Sequence, residues 1–320
     1  MDEKPEQSSL YELEFPAPEM SGPPERGPVL IHALEGFADA GHAVALAAEH
    51  LRDSLESELV ATFNTDELID YRSRRPTMTF SGEEFTSVDM PKLTMHAIRD
   101  NAGVGFLLLS GNEPDLRWEQ FVEAVRRLTE QFRVTDVIGL NAIPMAVPHT
   151  RPATITAHGD SEQLGDLPRW GSEMKIPASA SMLLELRLTQ QGYRGAGLSA
   201  HVPHYLAQAN YPGAAARLVE TVGDVTGLKL PVAALDNAAA AVREQIDNEV
   251  SGNSEIQSVV SALESQYDSF HEAAQTQASL LAADEPLPSG DELGAELEKF
   301  LAQHNRDQDQ GDAGDTSGTI

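Results

Sequence analysis

The segment Leu30-Ile-His-Ala-Leu-Glu-Gly-Phe-Ala-Asp-Ala-Gly-His-Ala-Val44 runs from an apolar stretch through a glycine-flanked acidic turn into an Ala-rich stretch. An apolar run of strand length that passes through a short turn into a helix is the repeating unit of layered α/β architecture. The alternation recurs to about residue 230. Candidate strands are Val29–Ala33, Glu58–Phe63, Leu93–Ile98, Gly105–Leu109, Asp136–Leu140, Ala153–Ala157 and Gly197–Val202. Between them Trp118, Phe121, Val125, Leu128 and Phe132 recur at spacings of three and four, which predicts one apolar helix face for the sheet. Further helices are expected from about Ser179 to Gln191 and from Pro212, with proline in its first turn, to Gly227 past its end. Thr77–Phe80 and Glu84–Thr86, flanking Ser81-Gly82-Glu83, read as a β-hairpin.

The turn after the first strand looks like a site, but not one for phosphate. Gly36 and Gly41 have the spacing of a P-loop, yet His42 and Ala43 follow where lysine and Ser/Thr would stand. Glu35 and Asp39 add negative charge where a phosphate needs N–H groups and a positive helix end. Two other partial motifs also fail. Gly195-Ala-Gly197-Leu-Ser-Ala200 follows a predicted helix and opens a strand, the reverse of the dinucleotide-binding context. Gly197-Leu-Ser199-Ala-His201 lacks the second glycine of a nucleophile elbow.

The formal net charge of −29 disfavours nucleic-acid and anionic-membrane partners, which require clusters of Lys and Arg. The chain has no cysteine, which removes thiol chemistry and thiolate metal sites and fits a reducing compartment. The acidic, polar start Met1-Asp-Glu-Lys does not read as a secretory signal, and no window reaches the roughly 20 apolar residues of a membrane span. A cytoplasmic location is therefore expected.

Residues 1–27, rich in proline and charge, read as a flexible arm, and residues 28–230 as the α/β domain. Residues 231–283 carry helical stripes (Leu235, Val242, Ile246, Val250; then Ile256, Val260, Leu263, Tyr267, Phe270) broken at Ser251-Gly-Asn253, which predicts a helical hairpin. Its apolar stripe must be covered by its own domain or by a neighbouring subunit. Residues 284–320 read as an acidic, disordered tail with a short helix at Glu292–Leu301.

Glu35, Asp39 and His42 stand at a strand's C-terminal end, where open α/β sheets bind ligands, and could act as acid and base; Asp39 could equally cap the following helix. Asn141 ends another strand. His149 and Arg151 sit between Pro148 and Pro152 in a rigid loop, and arginine suits carboxylate recognition. His201 and His204 flank Val202-Pro203 and either present two imidazoles or hold a turn; His158 and Asp160 follow a strand in the same stretch of sequence. No complete metal-ligand set or cofactor motif is present, so neither a metal nor a cofactor is expected.

Gly36-Phe-Ala-Asp-Ala-Gly41, Gly139-Leu-Asn-Ala-Ile-Pro144, Pro148-His-Thr-Arg151 and His201-Val-Pro-His-Tyr205, in that order, resemble the proteasome assembly chaperone family in its uncharacterised bacterial branch, over roughly residues 28 to 230. The resemblance implies a three-layer α/β/α domain with a phosphorylase- or hydrolase-like mixed sheet, and a homo-oligomer, with a trimer favoured. It also implies docking through a penultimate tyrosine, but Thr319 stands at that position. Two readings follow. One is a non-enzymatic oligomeric factor that binds protein partners, in which the helical hairpin could be the binding element. The other is a small-ligand binder or hydrolase/phosphorylase-like enzyme in which Glu35, Asp39, His42, Asn141, His149 and Arg151 line one pocket.

Overall fold

The computed structural model describes residues 10–16, 18, 20, 27–171 and 173–279. An eight-stranded sheet is built from β1 (Tyr11–Leu13), β2 (Val29–Glu35), β3 (Glu56–Phe63), β6 (Leu93–Arg99), β7 (Gly105–Asn112), β8 (Asp136–Met145), β9 (Ile155–Gly159) and β10 (Arg194–Pro203). Its order is β1-β3-β6-β7-β2-β8-β10-β9. The four central strands β7, β2, β8 and β10 are parallel, and the outer ones pair antiparallel. The fold is thus a mixed sheet flanked by helices.

Helix α1 (Ala43–Ser54) and α6 (Pro212–Thr226) cover one face; α3 (Trp118–Gln131) and α5 (Ala180–Gln190) cover the other. Because β2 is covered twice, its side chains serve both cores: Val29, Ile31 and Ala33 pack toward α1 and α6, and Leu30 and Leu34 toward α3 and α5. Burying a Leu or Ile side chain contributes roughly 1.5–3 kcal/mol, so these continuous apolar strands dominate the stability of the centre. In α3 the predicted stripe delivers Phe121, Val125 and Leu128 to full burial. Short helices α2 (Thr65–Leu68) and α4 (Ser161–Leu164) fill connections.

Tyr11–Leu13 lies in the segment read from composition as a mobile arm, yet it forms edge strand β1 on β3, with Tyr11 tilted against Phe63. Three residues are too short to show a period, so the pairing leaves no pattern in the sequence.

A separate two-stranded ribbon, β4 (Thr77–Ser81) with β5 (Glu84–Asp89), turns at Gly82, whose φ of 66° suits glycine. Every residue from Thr77 to Met90 is exposed. Beyond α6 come α7 (Ala233–Ser251) and α8 (Ser254–Ser279). Helix α7 runs along α6, but of its inward stripe only Leu235 is buried, while Ala239, Val242, Ile246 and Val250 are half-buried. The chain divides into two compact units, Met1–Tyr267 and Asp268–Ile320. In the second unit residues 268–279 are described, as helix; the expected acidic tail and its short helix lie outside the described residues.

Candidate functional site

Glu35, Asp39 and His42 share the turn that leaves β2 for α1. The Asp39 carboxylate accepts the Val44 N–H at 2.7 Å and so caps α1, and burial pushes its carboxyl up to about 6. Burial also raises Glu35, against the lowering pull of Arg52. His42 is exposed, with φ 49°. The two glycines of this turn are explained by close approach. A Cβ on Gly36 would lie 2.4 Å from a Glu113 carboxylate oxygen, and one on Gly41, whose φ is 67°, would lie 2.8 Å from Tyr211. Glu113 accepts the Phe37 N–H at 3.1 Å. A carboxylate of the protein itself therefore holds a backbone N–H that an anionic ligand would need.

His149 and Arg151 lie elsewhere, in the loop between β8 and β9, and serve as anchors. The Tyr205 hydroxyl accepts the His149 backbone N–H at 2.9 Å and lies 2.7 Å from its Nδ1; His149 Nε2 is 3.1 Å from Asp247 of α7. With the hydroxyl donating to Nδ1, the ring proton is on Nε2 and points at Asp247. Next to it Thr150 donates to Glu264 of α8 at 2.5 Å, Arg151 pairs with Glu264 at 3.1 Å, and Arg243 of α7 donates to the Thr150 carbonyl at 2.8 Å. A cleft of about 420 Å³ between α6 and α7 is lined here by His149, Arg151, Tyr211 and Val242, together with Arg217, which pairs with Glu220.

His201 and His204 take different partners. His201 lies between Thr154 and Thr156, at 3.0 and 2.8 Å, and burial lowers its imidazole to about 4. His204 is exposed in a short helical turn, its ring against Tyr205. The six residues expected to line one pocket are thus spread over separate places: the β2 turn, the β8–β9 loop, and Asn141. Asn141 is buried beneath α5, and its Oδ1 has no hydrogen-bond partner among the described residues.

The face under α5 holds a polar row that the sequence reading did not assemble. His32, Gly139, Gly197 and His158 stand side by side across β2, β8, β10 and β9. Glu185 descends from α5 over the two glycines: a Cβ on Gly139 would lie 2.7 Å from the His32 ring and 3.2 Å from Glu185, and one on Gly197 would lie 2.2 Å from the His158 ring and 2.9 Å from Glu185. His158 Nε2 is 2.9 Å from Glu185, which raises the His158 imidazole against its own burial. Complete burial lowers His32 to about 4 despite the opposing pull of Glu185. Its Nδ1 is 3.0 Å from Ser181 Oγ, whereas its Nε2 has no hydrogen-bond partner among the described residues. The signal for this row was two glycines inside strand patterns, which mark places where something approaches closely.

A serine hydroxyl beside an imidazole at the start of a helix has the parts of an acyl-transfer nucleophile. Here the parts are enclosed and electrostatically opposed. Ser181 is 5 % exposed, and its N–H is held at 3.3 Å by the Glu113 carboxylate, where a second negative charge would have to develop. Gly195 and Gly197 lie inside β10, so the nucleophile-elbow and dinucleotide patterns have no turn to occupy. Among the described residues no group of three or more His, Cys, Asp or Glu is placed to hold a metal ion, and no helix is long and apolar enough to cross a membrane.

A comparison with curated proteins finds no match. Among solved structures, a Mycobacterium tuberculosis protein of unknown function is 52% identical, with 87% of this chain and 95% of that chain covered and a TM-score of 0.83. A Corynebacterium glutamicum protein of unknown function is 48% identical, with 83% and 99% covered and a TM-score of 0.79. A proteasome-assembly chaperone homologue of Mycobacterium tuberculosis is 24% identical over 72% of this chain and 99% of that one, at a TM-score of 0.66, and shares the fold. The family model described as PAC2 family matches residues 33–250. With most of the α/β fold and α7 inside that match, the chain belongs to the PAC2 family.

Proposed function

We propose that this protein works by binding other polypeptide chains, as an oligomeric assembly factor, rather than by catalysing a reaction. The observation that carries this reading is the β4–β5 arm. Met78, Phe80, Phe85 and Val88 are 53, 60, 67 and 47 % exposed, a concentration of large apolar side chains that isolated surface residues do not explain. A two-stranded ribbon standing alone in water is marginally stable, so such an arm gains its order from a surface that covers it. Family membership supports the reading, as does the fold shared with a protein described as a proteasome-assembly chaperone homologue. In the polar row under α5, His32 and Ser181 are buried away from solvent.

Size-exclusion chromatography with light scattering tests it on the full chain. The expected result is a mass above that of one chain, reduced in Phe80→Ser/Phe85→Ser with the circular dichroism spectrum unchanged. A single-chain mass at every concentration, with no arm-dependent binding of another protein, would sink the reading.

A further inference from the structure

The crossing of α6 and α7 leaves open space because its residues are small. A Cβ on Gly213 of α6 would still lie 3.7 Å from the Tyr211 ring and 3.8 Å from the Ala239 methyl of α7, so there is room for a side chain that the sequence does not supply. The resulting cleft of about 420 Å³ is walled by Pro212 and Ala216 of α6 and by Val242 and Ile246 of α7. Small-molecule sites have volumes of this order, with mainly apolar walls and a few converging polar groups.

The polar groups here converge at one end. Arg243 donates to the Thr150 carbonyl, and Arg151, the next residue, also lines the cleft. Arg151 is matched by Glu264, but among the described residues Arg243 has no carboxylate partner. Tyr211, 9 % exposed, lines the cleft within reach of the Arg243 charge, and its hydroxyl makes no hydrogen bond among the described residues. Tyr211 is also the N-cap of α6 and makes no side-chain cap, so the first turn of this 15-residue helix turns its positive end to the same place. The acidic groups of the cleft are committed or remote. Glu220 is held by Arg217, and Asp236 precedes Arg243 by seven residues, about 10 Å of helix.

We propose that this cleft binds a small monocarboxylate with a compact apolar body. Its carboxylate lies against Arg243, Arg151 and the Tyr211 hydroxyl, where a guanidinium fork suits a planar anion, and its body runs between Ala216 and Val242 toward Asp236. Asp236 repels a second anionic group, so the site discriminates against dicarboxylates. The occupant touches both helices and therefore holds α7 to the domain. The site shares no residue with the β4–β5 arm and stands independently of the protein-binding reading.

Isothermal titration calorimetry of the full chain with octanoate tests this, with acetate, octylamine and octanedioate for comparison. Octanoate should saturate at one per chain. It should bind at least tenfold more tightly than acetate, which lacks the body, octylamine, which reverses the charge, or octanedioate, which meets Asp236. R243Q should weaken octanoate about tenfold or more. A240W, which enters the cleft from an exposed position on α7, should abolish binding, and F80S/F85S should leave it unchanged. Bound octanoate should also slow hydrogen exchange of the α7 amides. No saturable uptake by the native chain overturns the inference, as does octylamine binding equally well. If R243Q and A240W, with native circular dichroism, bind octanoate undiminished, or if F80S/F85S loses it, the carboxylate sits elsewhere and the inference fails; the protein-binding reading is untouched by any of these results.

Discussion

The arm and the row beneath α5 invert the usual distribution of residue types. In the row, His32 is fully buried against Ser181 of α5, and the half-exposed His158 side chain pairs with Glu185 of the same helix; in the arm, two phenylalanines, a methionine and a valine face water. The row is expensive to disturb because a buried polar group that loses its partner bears its full desolvation cost. The arm is cheap to disturb, because every residue from Thr77 to Met90 is exposed. The difference separates what keeps this chain folded from what it presents to others.

Substitutions that break the comparison should rank accordingly. The largest loss is expected for Gly139→Val, which drives side-chain atoms into the fully buried His32 ring and toward Glu185. Overpacking of this kind costs about 3 kcal/mol, a fall in Tm of roughly 6–12 °C. Scanning calorimetry that finds no change would show that the row has slack.

Next comes acid. His32 is held at about 4 against an ordinary 6.5, so its contribution is complete above 6.5 and is lost as pH falls through about 4. The loss is on the order of 3 kcal/mol for a fully buried ring, with Ser181, Glu185 and His158 acting on it. His201 acts in the same window. Denaturant unfolding of His32→Gln should show a flatter stability profile between pH 6.5 and 4; an unchanged profile would place the acid sensitivity elsewhere.

Glu185→Gln should have a smaller effect, of opposite pH dependence. The raised His158 imidazole contributes stability below pH 6.5 that disappears as pH rises through its folded value, so the variant should lose most on the acidic side. NMR titration of the His158 ring reads this directly, and a ring that titrates at the same pH in both proteins would contradict the assignment. The smallest effect on stability, within about 0.5 kcal/mol, is expected for Phe80→Ser/Phe85→Ser, although assembly should respond strongly. A large fall in Tm there would mean that the arm is part of the fold and erase the contrast.

Much of the fold was legible, because burial leaves periodic traces. The α3 stripe, the strand-to-helix turn at Gly36–Gly41, the Pro212 start and the Gly227 stop of α6 each follow from local chemistry. The residues beneath α5 were not, since His32, Gly139, His158, Glu185 and Gly197 come from five elements and meet only through strand register, which a sequence does not display. Gly139 and Gly197 were the visible trace, and composition-minded reading passes over glycine in a strand. The arm was legible as a hairpin from Ser81-Gly82-Glu83, but its face was not. Thr79 opposes Ser87 while Phe80 opposes Phe85, and the bulge this leaves at Thr86 breaks the period-two rule by which amphipathic strands are recognised.

The loop Pro148–Pro152 has a consequence for how this molecule comes apart. Up to Tyr267, helices α7 and α8 join the domain partly through the buried side chains of Leu235, Val260 and Leu263 and partly through polar links, His149 to Asp247, Thr150 and Arg151 to Glu264, and Arg243 to the Thr150 carbonyl, while most of the α7 stripe is only half-buried. The polar share of this joint weakens in protonating or high-salt conditions that leave an apolar core intact. Hydrogen exchange should therefore resolve two melting units, in which the amides of α7 exchange by detachment long before those of β2 and β8 exchange by global unfolding.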